Sequence, residues 1–307
     1  MTRFANTALV VLLVLPPARS ASPQDQSQEN PFQISVNLNL VVLPVTVRDR
    51  KGGFAADLNE KNFEVYEDGV RQTVRLFRHE DIPVTAGLVV DHSGSMRNKI
   101  ADVTQAAMAF VRSSNDNDQM FVVNFNERVT LGLPEATPFT DRPEDMQSAI
   151  LKAPLTGQTA LYDAMDVALD RLRSGDRQKK ALVVISDGGD NASKIALPQI
   201  LKKASESNAV VYAIGIFDRD DPDQNPGVLS RLAKETGGEA WFPARFGEAS
   251  AICEGIARDI RNQYTLGYVS SNPRAGGHRA VRVVAKAAGK DLLVRTRSGY
   301  IAGGDEK

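Results

Sequence analysis

Two short polar motifs contain the side chains best suited to chemistry, and each directly follows an apolar run. The sequence Asp-His-Ser-Gly-Ser at 91–95 follows the run 86–90, and Ser-Asp-Gly-Gly at 186–189 follows the run 181–185. Carboxylate and hydroxyl oxygens are hard ligands, which suit Mg²⁺ better than zinc or copper. The first motif has one carboxylate and two hydroxyls, too little negative charge to satisfy a divalent cation. It therefore predicts a cation site that needs further ligands.

The region that must position these motifs, residues 84–262, alternates between apolar strands and amphipathic helices. Apolar residues keep helical spacing over 100–111 and 161–172, between predicted strands. Such alternation indicates a parallel sheet covered on both faces. The segment 129–133 follows the second strand too closely for a crossover, so we expect an antiparallel edge strand there. The predicted strands are 85–90, 120–125, 129–133, 181–185, 209–216 and 240–242.

We predict an α/β fold with a doubly wound, mostly parallel sheet of order 3-2-1-4-5-6. In this order strands one and four are neighbours, and ligands bind outside the carboxyl ends of the strands at that switch point. Asp91 ends strand one, and Asp187 follows strand four. The two carboxylates are therefore expected to converge in one crevice.

Short β-strands are predicted on both sides of this region. Neither 33–83 nor 263–302 supplies enough strands for a stable sheet of its own. We therefore predict that the two segments pair into a small β-sandwich-like module, with the α/β domain 84–262 inserted between them. The strands expected in the flanks include 63–66, 74–77, 264–269, 280–284 and 292–297, the first two joined through the turn Glu67-Asp68-Gly69.

Three separated motif pieces in one order resemble a known metal site. Asp91-x-Ser93-x-Ser95, Thr159 and Asp187 are similar to the metal-ion-dependent adhesion site of von Willebrand factor type A domains. The likeness extends from about residue 84 to residue 260. The N-terminal flank is similar to that of exported bacterial proteins related to this family. The fold expected from the resemblance agrees with the alternation of strands and helices.

The resemblance also implies a role for each residue. Ser93 and Ser95 would ligate the ion directly, and Thr159 directly or through water. Asp91 and Asp187 would hold it mainly through waters or with one close oxygen. Mg²⁺ is the expected cofactor, with Mn²⁺ or Ca²⁺ as alternatives.

Each piece also has an interpretation without a metal. Ser95 could be the N-cap of a helix that begins near Met96. Asp187 could belong to a turn that only ends a strand. Asp163 could orient the loop of Thr159 or be a solvated or capping aspartate. His92 is bulkier than the small apolar residues expected at its position and is not an expected ligand.

The chemistry of the site predicts binding and not catalysis. Hydroxyl ligands bring no charge, so a partner's Asp or Glu carboxylate could displace water from the ion. We therefore expect a module that binds a protein ligand presenting an acidic side chain. The alternatives are an envelope scaffold with a vestigial or regulatory metal site, and a Mg²⁺-dependent phosphoesterase with Asp91 as nucleophile. Phosphoryl transfer would need a second carboxylate where Ser93 stands, so we expect no catalytic residues and no enzyme activity.

The composition excludes other partner classes. Lys and Arg number 37 against 38 acidic residues, a net charge of -1, which provides no basic field for nucleic acid or anionic lipid. The single cysteine, Cys253, allows no intrachain disulfide. It lies on a helical apolar stripe and is predicted to be buried.

The N-terminus predicts export. Residues 1–20 combine Arg3, the apolar run 8–15 and small residues before position 21, as in a signal peptide. Residues 21–32 predict a disordered linker. We expect a secreted, periplasmic or cell-envelope protein without a bilayer-spanning segment after cleavage, and 303–307 as a short tail.

Overall fold

The computed structural model describes residues 40–217, 224–272, 274 and 276–302. The predicted signal peptide, the linker, the start of the N-terminal β segment and the tail lie outside the described residues. Their assignments stay predictions. Within the described ranges, no helix has the length and apolarity needed to cross a membrane.

The described residues form β-strands, α-helices and three 3-10 turns. The strands are β1 (Leu40–Arg48), β2 (Phe63–Glu67), β3 (Val70–Gln72), β4 (Val74–Arg78), β5 (Val84–Asp91), β6 (Gln119–Phe125), β7 (Val129–Leu131), β8 (Lys179–Ser186), β9 (Ala209–Gly215), β10 (Ala240–Trp241), β11 (Tyr264–Val269), β12 (His278–Ala287), β13 (Lys290–Asp291), β14 (Leu293–Arg295) and β15 (Gly299–Ile301). The helices are α1 (Ile100–Ser113), α2 (Pro143–Ile150), α3 (Leu161–Arg173), α4 (Leu197–Glu206), α5 (Pro226–Thr236) and α6 (Ala249–Arg261). The 3-10 turns are Glu60–Asn62, Gly94–Met96 and Phe246–Glu248.

The central sheet has the order β10-β9-β8-β5-β6-β7. All neighbours are parallel except β7, which runs antiparallel to β6. Counted along the chain within this sheet, the order is 3-2-1-4-5-6. The predicted fold class is confirmed, including the antiparallel edge strand and the place of strands one and four as neighbours.

Helices cover both faces of the central sheet because its strands are apolar on both sides. Leu88 and Val90 of β5 belong to a core with α1, α2 and α6, whereas Val89 belongs to a core with α3, α4 and α5. Every residue of β5 and β9 is buried. Cys253 of α6 is also buried in the first of these cores. Parallel strands buried on both faces need no polar alternation, as their sequences indicate.

The two flanking segments pair with each other in two antiparallel sheets. One sheet has the order β14-β1-β11-β4, and the other has β13-β12-β2-β3 with β15 on β12. Leu43 lies opposite Leu266 in the first sheet, and Val65 lies opposite Val283 in the second. These four side chains are buried in a third core. We call the two sheets the β-module; the domain boundaries given above remain predictions.

The hairpin after β2 differs from the expectation. Asp68 and Gly69 have φ angles of 48° and 82°, as in the tight turns that favour Asp-Gly. This turn leads into β3, which pairs with β2, and the chain then enters β4 in the other sheet. The predicted direct connection between strands 63–66 and 74–77 is therefore wrong. Val70–Gln72 was too short and too polar to be recognised as a strand.

A buried ionic group joins the β-module to α6 and the central sheet. Asp259 of α6 is fully buried and accepts hydrogen bonds from Thr46 at 3.2 Å, Arg48 at 3.1 Å and Tyr212 at 2.7 Å. Arg295 forms an ion pair with the same carboxylate. We call these five residues the module-facing cluster. Its carboxylate is compensated by cations of the chain itself.

Candidate metal centre

The carboxylate of Asp91 lies at the end of β5 and is held on both oxygens. The Ser93 N–H donates to Oδ1 at 2.8 Å, and the Ser186 hydroxyl donates to Oδ2 at 2.6 Å. Ser186 ends β8, the strand next to β5. Asp91 is fully buried. The carboxyl ends of strands one and four therefore meet as the sheet order predicts.

Three of the predicted ligands contact one another directly. The Ser95 hydroxyl donates to Asp187 Oδ2 at 2.5 Å, and Ser93 Oγ lies 3.1 Å from Ser95 Oγ. The Gly189 N–H donates to Asp187 Oδ1 at 3.2 Å. Ser95 and Asp187 are 92 positions apart in the sequence. We call Asp91, Ser93, Ser95, Ser186 and Asp187 the carboxyl-edge cluster.

Ser95 does not cap a helix. It lies inside the 3-10 turn Gly94–Met96, and α1 begins only at Ile100. Its hydroxyl is directed to Asp187 instead. The N-cap interpretation of Ser95 is therefore wrong.

Hydrogen bonds of the backbone hold the loop of Thr159 against its neighbouring loops. It is 7% exposed, its N–H donates to Asn191 Oδ1 at 2.9 Å, and its carbonyl accepts from the Asn191 and Ala192 amides at 3.0 Å each. The Gly94 N–H donates to the carbonyl of Gly157 at 3.0 Å. The loop of Thr159 is thus tied to the loops that follow both β5 and β8.

The loop of Thr159 needs a glycine at position 157. Its φ is +81°, and a Cβ on Gly157 would lie 1.3 Å from Glu127 Oε2. The same oxygen accepts a hydrogen bond from the Gln158 N–H at 2.9 Å. Glu127 therefore supports the backbone just before Thr159. Glu127 lies in the short connection between β6 and β7, and nothing in the sequence around it indicates this role.

Asp163 of α3 binds the backbone of the loop that follows β8. Its carboxylate accepts hydrogen bonds from the amides of Lys194 and Ile195, both at 3.0 Å through Oδ1. Asp190 of the same loop accepts from the Tyr162 N–H at 2.9 Å. This loop also contains Asn191, which binds Thr159. Asp163 therefore fixes the loop that follows β8. That it also orients the loop of Thr159 stays a prediction, and nothing in the sequence indicates the roles of Asp190 and Asn191.

His92 contacts β6 and not the predicted ligands. Its side chain is 1% exposed, and Nε2 lies 3.2 Å from Asn124 Oδ1. Burial lowers the pKa of His92, while the contact with Asn124 opposes that shift. Among the described residues, Nδ1 has no partner at hydrogen-bond distance.

The electrostatics of the carboxyl-edge cluster favour a cation. Burial first, and the charge of Asp187 second, raise the pKa of Asp91 to about 7, although hydrogen bonds from Ser186 and Ser93 oppose the shift. Within the described ranges, the two carboxylates bind hydroxyl and amide groups, and neither forms an ion pair. The donors are hydroxyl and carboxylate oxygens that suit Mg²⁺, Mn²⁺ or Ca²⁺. The residues present therefore fit a divalent cation.

Comparison with known proteins identifies the α/β region. Residues 87–189 match the family model of the von Willebrand factor type A domain, and this range contains all five predicted ligands. The chain contains a von Willebrand factor type A domain. The wider fold is similar to a von Willebrand factor type A protein of Catenulispora acidiphila, with a TM-score of 0.53 and 14% identity over 87% of this chain and 74% of that one.

Two further proteins are similar to part of this chain. The mussel byssus proximal thread matrix protein 1, in a structure with a zinc-occupied metal-ion-dependent adhesion motif, has 19% identity and a TM-score of 0.49 over 63% of this chain and 49% of that one. An uncharacterized protein of Borreliella burgdorferi is 27% identical over 144 residues, which cover 44% of this chain. The match spans 41% of the length of that curated relative.

Proposed function

We propose that this protein is an exported, Mg²⁺-dependent binding module that captures an Asp or Glu carboxylate of a partner protein. The observation that carries the proposal is the contact of Ser93, Ser95 and Asp187 beside the buried carboxylate of Asp91. Neither acid forms an ion pair with a residue that the structure describes, so a cation bound from solution would offset the repulsion between the two carboxylates. The von Willebrand factor type A family match adds support from sequence.

The proposed ligand roles follow from the donor types. Ser93 and Ser95 would bind the ion through their hydroxyls, and Thr159 directly or through water. Asp91 and Asp187 would compensate its charge, mainly through bound waters. When bound, Mg²⁺ would supply a coordination position that a carboxylate of the partner can take. Mn²⁺ and Ca²⁺ are the alternative ions.

The site favours binding over phosphoryl transfer. Both oxygens of Asp91 accept short hydrogen bonds, from the Ser93 amide and the Ser186 hydroxyl. These bonds hold the carboxylate back from attack on a phosphorus atom. Ser93 also occupies the position where an acid–base carboxylate would be needed. We therefore propose a partner that is bound and not converted, and a protein and not nucleic acid as that partner.

The proposed location is the cell envelope, the periplasm or the medium. The basis is the sequence pattern of residues 1–20, a positive residue followed by an apolar run and small residues. Reading the N-terminus of the mature protein by mass spectrometry tests this part. Cleavage after Ser20 is expected; an intact Met1 on the exported protein would contradict it.

The binding of metal and carboxylate can be tested on the mature chain with Mn²⁺ as the probe. Electron paramagnetic resonance should show saturable Mn²⁺ binding that Mg²⁺ displaces and that Asp187→Asn removes. A peptide with ¹³C-labelled glutamate carboxylate should then show hyperfine coupling to the bound Mn²⁺, and its glutamine counterpart should not. Wild-type protein without Mn²⁺ binding, or equal binding of the two peptides, would overturn the proposal. Hydrolysis of phosphate esters that depends on Asp91 would instead favour the phosphoesterase.

A further inference from the structure

His92 is the least expected residue of the first motif, and its surroundings are polar although buried. The Asn124 amide group donates to the carbonyl of Ala149 at 2.7 Å through Nδ2. Its Oδ1 therefore faces His92, and because Oδ1 can only accept, Nε2 of His92 carries the proton. Asn124 is fully buried, so the bond is shielded from water. The His92 side chain is thus connected to the last turn of α2.

The backbone of His92 makes two further connections. Its N–H donates to the carbonyl of Phe125 at 2.7 Å, and its carbonyl accepts from the Thr156 N–H at 3.0 Å. Thr156 lies three residues before Thr159. His92 is therefore connected to the last turn of α2 through Asn124 and directly to Thr156, in the segment between α2 and Thr159.

We propose that His92 is a positioning residue of the metal centre: the hydrogen-bonded chain His92–Asn124–Ala149 fixes the distance between the Ser93–Ser95 loop and the loop of Thr159. The inference rests on the proposed metal site, but it assigns no coordination to His92. A small residue at this position would leave Asn124 Oδ1 buried without a donor, and the loop of Thr159 would lose one of its connections. The cation would then meet a less preorganised ligand set.

His92→Ala and His92→Gln test this role by Mn²⁺ titration. His92→Ala should weaken Mn²⁺ binding by about ten-fold or more, as changes to the groups that orient metal ligands do. His92→Gln should restore most of the affinity, since its side-chain amide can donate to Asn124 Oδ1. Wild-type affinity in His92→Ala, or no recovery in His92→Gln, would overturn the inference.

Thr236→Val is the matched control. The Thr236 side chain is fully buried and accepts a hydrogen bond from the Val211 amide at 2.9 Å, near the start of β9 and not at its carboxyl end. Its replacement also leaves a buried polar group unpaired, so it costs comparable stability. Thr236→Val should keep the wild-type Mn²⁺ affinity; an equal loss in this variant would assign the effect to general destabilisation and contradict the inference.

Hydrogen exchange of the metal-free protein separates this inference from the proposed function. The Thr156 and Gly94 amides, which bind His92 and Gly157, should exchange faster in His92→Ala than in wild type and Thr236→Val. Unchanged exchange would overturn the positioning role whether or not metal binds. If exchange is faster in His92→Ala but the wild type binds no Mn²⁺, the loop connection holds and the proposed metal site is contradicted.

Discussion

The carboxyl-edge cluster and the module-facing cluster both contain buried carboxylates, yet they compensate the charge differently. Asp259 lies between Arg48 and Arg295, and Thr46 and Tyr212 complete its hydrogen bonds. Asp91 and Asp187 receive only hydroxyl and amide donors from the described residues.

The difference indicates what each cluster does. A carboxylate paired with fixed arginines needs nothing from solution and serves to join elements of the fold. A pair of carboxylates stabilised by dipoles alone keeps a net negative charge that a cation can neutralise. The same residue type is therefore structural where the β-module contacts α6 and, as we propose, functional at the carboxyl edge. The predictions below test this contrast from the largest expected effect to the smallest.

Asp259→Ala should cause the largest loss of stability. It removes the carboxylate that pairs with Arg48 and leaves Arg295 paired with Glu239; removal of one partner of a buried ion pair costs about 3 to 5 kcal/mol. Urea unfolding without metal measures the effect. Asp170→Ala is the control, because Asp170 pairs with Lys203 and Arg173 at 54% side-chain exposure and should change stability little. Equal losses of stability in Asp259→Ala and Asp170→Ala would contradict the structural role of Asp259.

Saturating Mg²⁺ should stabilise the wild-type protein by the next largest amount. A hundred-fold excess over the dissociation constant raises the free energy of unfolding by about 2.7 kcal/mol for an ion that binds only the folded state. A chelator should reverse the gain. Asp259→Ala should show the same increment wherever it remains folded, since its cluster binds no metal in this account. If Mg²⁺ does not change the free energy of unfolding of the wild type, the result would favour a scaffold with a vestigial metal site.

Gly157→Ala should destabilise the protein and weaken metal binding together. The left-handed backbone at Gly157 costs about 1 to 2 kcal/mol for a residue with a Cβ. The new methyl group would also displace Glu127, which supports the backbone before Thr159. Gly255→Ala in α6, where a Cβ meets no atom within 4 Å, is the control; it should keep the Mn²⁺ affinity and lose no stability, since Ala is favoured over Gly inside a helix. A Gly157→Ala variant with unchanged stability and Mn²⁺ affinity would contradict the role of Glu127 in supporting the backbone before Thr159.

Asp187→Asn should have the smallest effect on the metal-free protein, and in the opposite direction. The charge of Asp187 helps to raise the pKa of Asp91, so its removal relieves repulsion between buried groups. The metal-free protein should gain up to about 1 kcal/mol, as happens when functional sites are relieved of strain. The stabilisation by Mg²⁺ should disappear. A loss of several kcal/mol without metal would show that Asp187 is structural, like Asp259.

The sequence predicts every member of the carboxyl-edge cluster except Ser186, because these members follow local rules. Asp91 ends one apolar strand and Asp187 follows another, and a doubly wound sheet brings such ends together. The supporting residues could not be predicted in the same way. Glu127, Asp190 and Asn191 act through loop backbones whose course depends on the folded structure.

The module-facing cluster gave no local signal at all. Asp259 lies on an amphipathic helix, where a charged residue ordinarily faces solvent. Its partners Thr46 and Arg295 lie 213 and 36 positions away, in strands of the β-module. Only the pairing of β1 with β11 and β14 brings these residues to α6. The arginines that compensate the charge of Asp259 can therefore be identified only from the tertiary structure.

Anomalous diffraction from crystals grown with Mn²⁺ tests the central contrast most directly. The account predicts one strong anomalous peak per chain, bound by the hydroxyls of Ser93 and Ser95 and next to Asp187, and none beside Asp259. An empty carboxyl-edge cluster in Mn²⁺-saturated crystals, or a peak at Asp259, would contradict it.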